Sequence, residues 1–158
     1  MYRINAWTSR LCAAAGIATA AALTLVGTGP AEAAVPPVMC AGVPATIVYN
    51  GIGNTTFGTV GRDVIVTFDA NDIIWASDGD DLICSGGGND EVHASWGADT
   101  VFSEAGNDNV DGAADDDALY GGTGNDFLMG STGSDFADGG AGTDRCTLFD
   151  VALNCERR

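Results

Sequence analysis

Between residues 58 and 147 an apolar side chain returns at every ninth position: Ile65, Ile74, Ile83, Val92, Val101, Val110, Leu119, Leu128, Ala137 and then Cys146. Two residues before each stands an aspartate, at Asp63, Asp72, Asp81, Asp90, Asp99, Asp108, Asp117, Asp126, Asp135 and Asp144, with no insertion. Two residues before the aspartate the chain carries glycine, with Ala70 and Asp115 as the exceptions. The unit therefore reads as a six-residue turn closing on Asp, followed by three residues of strand whose middle side chain points inward. Glycine suits such a turn because it accepts positive φ without a Cβ clash. Alternation about the inward residue is the period-two mark of a short half-buried strand. Three residues cannot hold a sheet alone, so successive units must stack, and an internal repeat of this kind takes precedence over residue-by-residue propensity. Two units make one coil of eighteen residues with a strand on each side. The ten units predict an all-β fold, a right-handed parallel β-roll (a β-solenoid) of about five coils with disulfide-tied end caps, whose core is roughly 24 Å long at ~4.8 Å per coil.

The flanks differ in composition. Arg3 and Arg10 precede an apolar run from Leu11 to Val26, followed by Gly27 to Pro30 and then Ala31-Glu32-Ala33. This is the three-part pattern of a secretory signal cleaved after Ala33. The run is about 16 residues, shorter than the ~20 a membrane span needs. The expected organisation is a signal over 1–33, an N-terminal cap with an eroded repeat over 34–57, the roll over 58–147 and a C-terminal cap over 148–158. Within the first cap, Asn54 stands in the aspartate position of the eroded unit.

Charge and cysteines sharpen this picture. The chain of 158 residues has 6 basic and 22 acidic side chains, a formal charge of −16, and no lysine. Nucleic acid and anionic membranes are therefore disfavoured as partners, and cations favoured. Cleavage after Ala33 would remove Cys12 and leave Cys40, Cys84, Cys146 and Cys155, an even number that reads as two disulfides in an exported chain. A zinc site is disfavoured by the lack of a CxxC pair and by a single histidine, His93. Three pairings are open. The short spacing of Cys146 and Cys155 suits a terminal loop, which leaves Cys40 with Cys84, and this pairing is the working hypothesis.

Segments such as Gly121-Gly122-Thr123-Gly124-Asn125-Asp126-Phe127-Leu128-Met129 and Gly139-Gly140-Ala141-Gly142-Thr143-Asp144 resemble the glycine-rich nonapeptide of hemolysin-type, or RTX, calcium-binding repeats. The ends, Cys40-Ala41-Gly42 and Asp144-Arg145-Cys146, look more loosely like those of short secreted actinobacterial-type repeat proteins. The resemblance implies Ca²⁺ held between turns stacked on one edge, ligated by the closing aspartates and by turn carbonyls such as those of Gly121, Thr123, Gly139 and Ala141. One edge would stack Asp72, Asp90, Asp108, Asp126 and Asp144, the other Asp63, Asp81, Asp99, Asp117 and Asp135. Four gaps on each edge set an upper bound of about eight ions. Calcium suits such a site chemically, being a hard cation that takes six to eight oxygen ligands in flexible geometry. The gap between Asp126 and Asp144 matches the pattern best. The other edge lacks the double glycine at Ala76, Ala94 and Ala113 and loses glycine at Asp115, so its sites are expected to be weaker or empty.

A metal-free aspartate ladder is the competing reading, but like carboxylates stacked ~5 Å apart repel one another and lysine is absent. No enzymatic constellation emerges: His93 falls at an outward position beside Glu91, and Trp75 and Trp96 are expected on different sheets or turns, without a shared platform. Val64, Val66, Leu82, Phe102, Tyr120 and Phe136 make one outer face unusually apolar. Either residues 35–57 cover part of it, or it meets a partner. The function expected is a secreted, non-enzymatic calcium-binding repeat protein that folds on binding Ca²⁺. The alternative is a calcium-dependent adhesion or carbohydrate-recognition module with a cell-surface or glycan partner.

Overall fold

The computed structural model describes residues 37–49, 51, 53 and 55–156. The proposed signal, Cys12 and Asn54 lie outside the described residues. All regular structure among the described residues is β. One parallel sheet contains seven strands: β3 (Ile47–Val48), β5 (Val64–Val66), β7 (Leu82–Cys84), β9 (Thr100–Phe102), β11 (Ala118–Tyr120), β13 (Phe136–Asp138) and β15 (Val151–Leu153). The other contains six: β4 (Thr55–Phe57), β6 (Ile73–Trp75), β8 (Glu91–Trp96), β10 (Asn109–Ala114), β12 (Phe127–Thr132) and β14 (Arg145–Thr147). The chain alternates between the sheets, and neighbouring strands pair eighteen residues apart, as in Ile65↔Ile83 and Val110↔Leu128. The result is a parallel β-roll.

The inward residues of the nonapeptides form its core. Ile65, Ile74, Ile83, Val92, Val101, Val110, Leu119, Leu128 and Ala137 are fully buried in one cluster, closed by Ile47 at one end and by Cys146 and Phe149 at the other.

The roll is longer than the five coils expected from the period. β3 and β4 add rungs before residue 58, both with eighteen-residue spacing to their partners. β15 adds one at the other end, but Ala137 pairs with Ala152, fifteen residues on. The last turn has lost three residues, so Asp150-Val151-Ala152 repeats the Asp-x-apolar signature out of phase. The C-terminal segment thus extends a sheet, and only Phe149 turns in to cover the core.

At the N-terminus, β1 (Met39–Cys40) and β2 (Val43–Pro44) form an antiparallel hairpin. Cys40 is bridged to Cys84, and Cys146 to Cys155. Cys40 is fully buried with Val64, Val66, Leu82 and Cys84, and Val38, Ala45 and Phe102 pack around them. The hairpin therefore covers the first part of the apolar outer stripe. Beyond it Phe102 stacks on Tyr120 with ring centroids 4.8 Å apart, and Tyr120 meets Phe136 at 5.6 Å.

Candidate metal centre

Each of the ten repeat aspartates is buried, from Asp63 to Asp144. In eight of them, Asp81 through Asp144, one carboxylate oxygen is used in the same way. Oδ1 of an aspartate accepts the backbone N–H of the aspartate one coil earlier, at 2.7 Å from Asp63 to Asp81 and 2.9 Å from Asp126 to Asp144. The same bond joins every intervening pair on both edges. The second oxygen is left over. Oδ2 of Asp81, Asp99, Asp108, Asp117, Asp126 and Asp144 is buried without a hydrogen-bond partner. An unpartnered carboxylate oxygen away from water is costly unless a proton or a cation meets it.

The electrostatics agree. Burial pushes the Asp99 carboxyl up to about 8, helped by Asp117, Asp81 and Asp80 and opposed by the Asp81 N–H. Asp108 and Asp117 are raised to about 7, and Asp81 to about 6, burial leading in each case. Asp90 and Asp126 move the same way. Without positive charge these groups hold protons that ordinary aspartates shed.

Turn glycines make the stack geometrically possible. Gly106, Gly124 and Gly142 have φ of 141°, 134° and 152°. A Cβ on any of them would collide with the carbonyl oxygen of the equivalent residue one coil earlier. The first turn position matters differently. Asp126 Oδ2 and the Gly139 carbonyl oxygen converge on the space that a Cβ at Gly121 would take, and Asp144 Oδ2 and the Asn154 carbonyl do so at Gly139. In the N-terminal half this position holds Thr67, Ser85 and Ser103 on one edge and Gly58, Ala76 and Ala94 on the other. The Thr67 hydroxyl donates to the Ser85 carbonyl at 2.7 Å, and the Ser85 hydroxyl to that of Ser103 at 3.1 Å. Apart from Gly58, in whose turn Thr59 already bonds Asp63 Oδ2, the open cradles therefore belong to the C-terminal half, a gradation carried by the residue five before each aspartate.

Other expected ligand positions are distinct from one another. Thr123 and Ala141 bridge neighbouring coils through their backbones: the Thr123 carbonyl accepts the Gly106 N–H and the Ala141 carbonyl the Gly124 N–H, both at 2.9 Å. Each keeps a second lone pair. Asp63 stands apart, because its Oδ2 accepts the Thr59 N–H at 2.7 Å and the Thr59 hydroxyl at 2.9 Å. Among the described residues no three His, Cys, Asp or Glu side chains converge on one ion position. A cation between turns would thus draw on carbonyls together with carboxylates, the mixed oxygen set that suits calcium.

The two edges differ in backbone cost. On the Asp63 edge Ser77, Ser95, Ala113, Asp115 and Ser131 all take positive φ without being glycine, whereas Glu104 is the one such residue in the turns of the Asp72 edge. Each costs on the order of 1 kcal/mol. The Asp72 edge adds an asparagine ladder in which Asn71, Asn89 and Asn107 accept the N–H of the residue eighteen on, at 2.7–2.8 Å. On the other edge Asp80 and Asp116 do this for Ala98 and Ser134.

His93 lies on the outer face with Nε2 3.0 Å from Glu91 Oε1, and its ring stacks on Trp75. Trp75 and Trp96 prove to lie on the same sheet, contrary to the expectation from sequence. β8 continues pairing through the turn, Ser95 with Ala113 and Trp96 with Ala114, and so keeps Trp96 on the sheet that bears Trp75.

Residues 57–92, 93–128 and 120–147 match the family model of the RTX calcium-binding nonapeptide repeat (4 copies), together more than half of the chain. No curated protein matches it.

Proposed function

Because the chain belongs to the family of RTX calcium-binding nonapeptide repeats, we propose that this calcium-binding repeat protein is exported, orders its roll as it takes up Ca²⁺, and performs no catalysis. The observation that carries this reading is the column of buried, unpartnered Oδ2 atoms on a chain without lysine. Ca²⁺ supplies the missing positive charge, and the turn residues supply oxygens already aimed at one another. Binding to the folded state alone adds its free energy to folding.

The gap between Asp126 and Asp144 is the strongest site, supported by the oxygens that converge on Gly121. Eight ions remain the upper bound. Asp63 contributes least, since Thr59 already satisfies one of its oxygens. Export is supported by the leader-like pattern over 1–33 and by two disulfides, which persist in oxidising compartments. A second reading, calcium-dependent adhesion or carbohydrate recognition, is favoured by exposed aromatics on the outer face, with Trp96 67% exposed.

Isothermal titration of the mature chain with Ca²⁺ tests the main reading. Saturable uptake of several ions per chain, accompanied by growth of a β-type circular dichroism signal, is expected. A chain that takes up no Ca²⁺ under these conditions overturns it.

A further inference from the structure

On the outer face of the six-stranded sheet a cleft of about 350 Å³ opens between Trp75, His93, Trp96 and Asp111, with Ser95 and Ala113 among its lining residues. We infer that this cleft binds a neutral glycan, with a sugar ring stacked against Trp96 and its hydroxyls bonded to Asp111, Ser95 and His93.

The cleft is a product of the repeat's irregularities. Trp75, His93 and Asp111 occupy one outward column of successive strands. Trp96 stands further along β8, where the strand runs into the turn. Ser95 and Ala113 are small, so the surface between the two tryptophans is left low. Its volume lies at the lower end of the ~300–1,000 Å³ typical of small-ligand sites.

The chemistry selects among ligands. Trp96 is 67% exposed, costly for a large aromatic that covers nothing. An indole face suits the C–H face of a pyranose, while at the rim a carboxylate accepts hydrogen bonds and a hydroxyl and an imidazole can accept or donate them. Glu91 and Asp111, on a chain of charge −16, disfavour anionic glycans. An organic cation is the rival. Caging one takes several ring faces, yet His93 covers a face of Trp75, with ring centroids 3.8 Å apart and planes 14° from parallel. What is left is a platform with a polar rim.

This inference rests on the calcium-ordered roll as its scaffold, and the experiment separates the two. Trp75 and Trp96 are the two tryptophans of residues 34–158, so the intrinsic fluorescence of the mature protein reports on the cleft directly. The Ca²⁺-loaded protein is titrated with cello-, chito- and manno-oligosaccharides and, separately, with choline chloride, while circular dichroism follows the fold. A saturable fluorescence change with at least one neutral oligosaccharide is expected. Binding should weaken roughly tenfold or more in Trp96→Ala and in Asp111→Asn, and stay unchanged in Phe102→Ala on the opposite sheet. A β-rich sample that responds to no oligosaccharide, or to choline alone, overturns the cleft and leaves the calcium reading standing. A chain that stays unfolded in Ca²⁺ overturns both.

Discussion

A carboxylate that gives one oxygen to a neighbour's amide and keeps the other dry is poised between a proton and a metal ion. At Asp99 and Asp108, raised to about 8 and about 7, the metal-free folded chain keeps protons that the unfolded chain sheds near 3.8. Between those limits the folded state binds more protons, so metal-free stability falls as pH rises from about 4 to 8. Metal-free protein should therefore show more β signal at pH 5 than at pH 8. Apparent Ca²⁺ affinity should run the other way and rise with pH, because protons compete for the same oxygens; pH-independent affinity would count against the assignment. The residues also differ in rank. Asp126→Asn should cut the strongest-site affinity about tenfold or more in titration calorimetry, whereas Asp63→Asn should alter ion binding little, since Thr59 holds that carboxylate.

At the scale of the turn and strand, glycine decides whether coils can approach. Gly124→Ala sets a Cβ against the Gly106 carbonyl at a φ that L-residues avoid, and should cost about 3 kcal/mol or more in urea denaturation of the calcium-loaded protein. The two disulfides act on different elements. Cys40–Cys84 spans 44 residues and pins the hairpin to the seven-stranded sheet, while Cys146–Cys155 spans 9 at the far end. On loop entropy the first contributes about 4 kcal/mol and the second about 3, so replacing Cys40 and Cys84 with serine should lower the melting temperature more. Much of this level was legible in the sequence, because one aspartate and one apolar residue every nine positions dictate both strand and turn. The last coil was not. Its turn is three residues short, which moves Asp150 and Ala152 out of phase with a nine-residue test. Nor was the gradation between Ser85 or Ser103 and Gly121 or Gly139, since their position lies outside the aspartate, apolar and glycine positions that announce the repeat. The place of Trp96 on the six-stranded sheet is not legible for a related reason: a strand that continues through its turn leaves no mark in the period.

Across the whole molecule the acidity, the glycines and the stacking form one dependence. The roll buries little more than one inward side chain per nine residues, and its edges are lined by buried carboxylates with no lysine to offset them. So thin a core is weakly held against the entropy of ordering the chain, and the repulsion along each edge opposes it further. On the proposed function, calcium turns that repulsion into ligation and so makes the fold conditional on the ion. Far-ultraviolet circular dichroism of residues 34–158 with both disulfides intact at pH 7.5, first with chelator and then with excess Ca²⁺, is the most direct test. A largely disordered spectrum that becomes β-rich on adding Ca²⁺, and reverts with chelator, is predicted. Superimposable spectra in the two conditions would contradict the account.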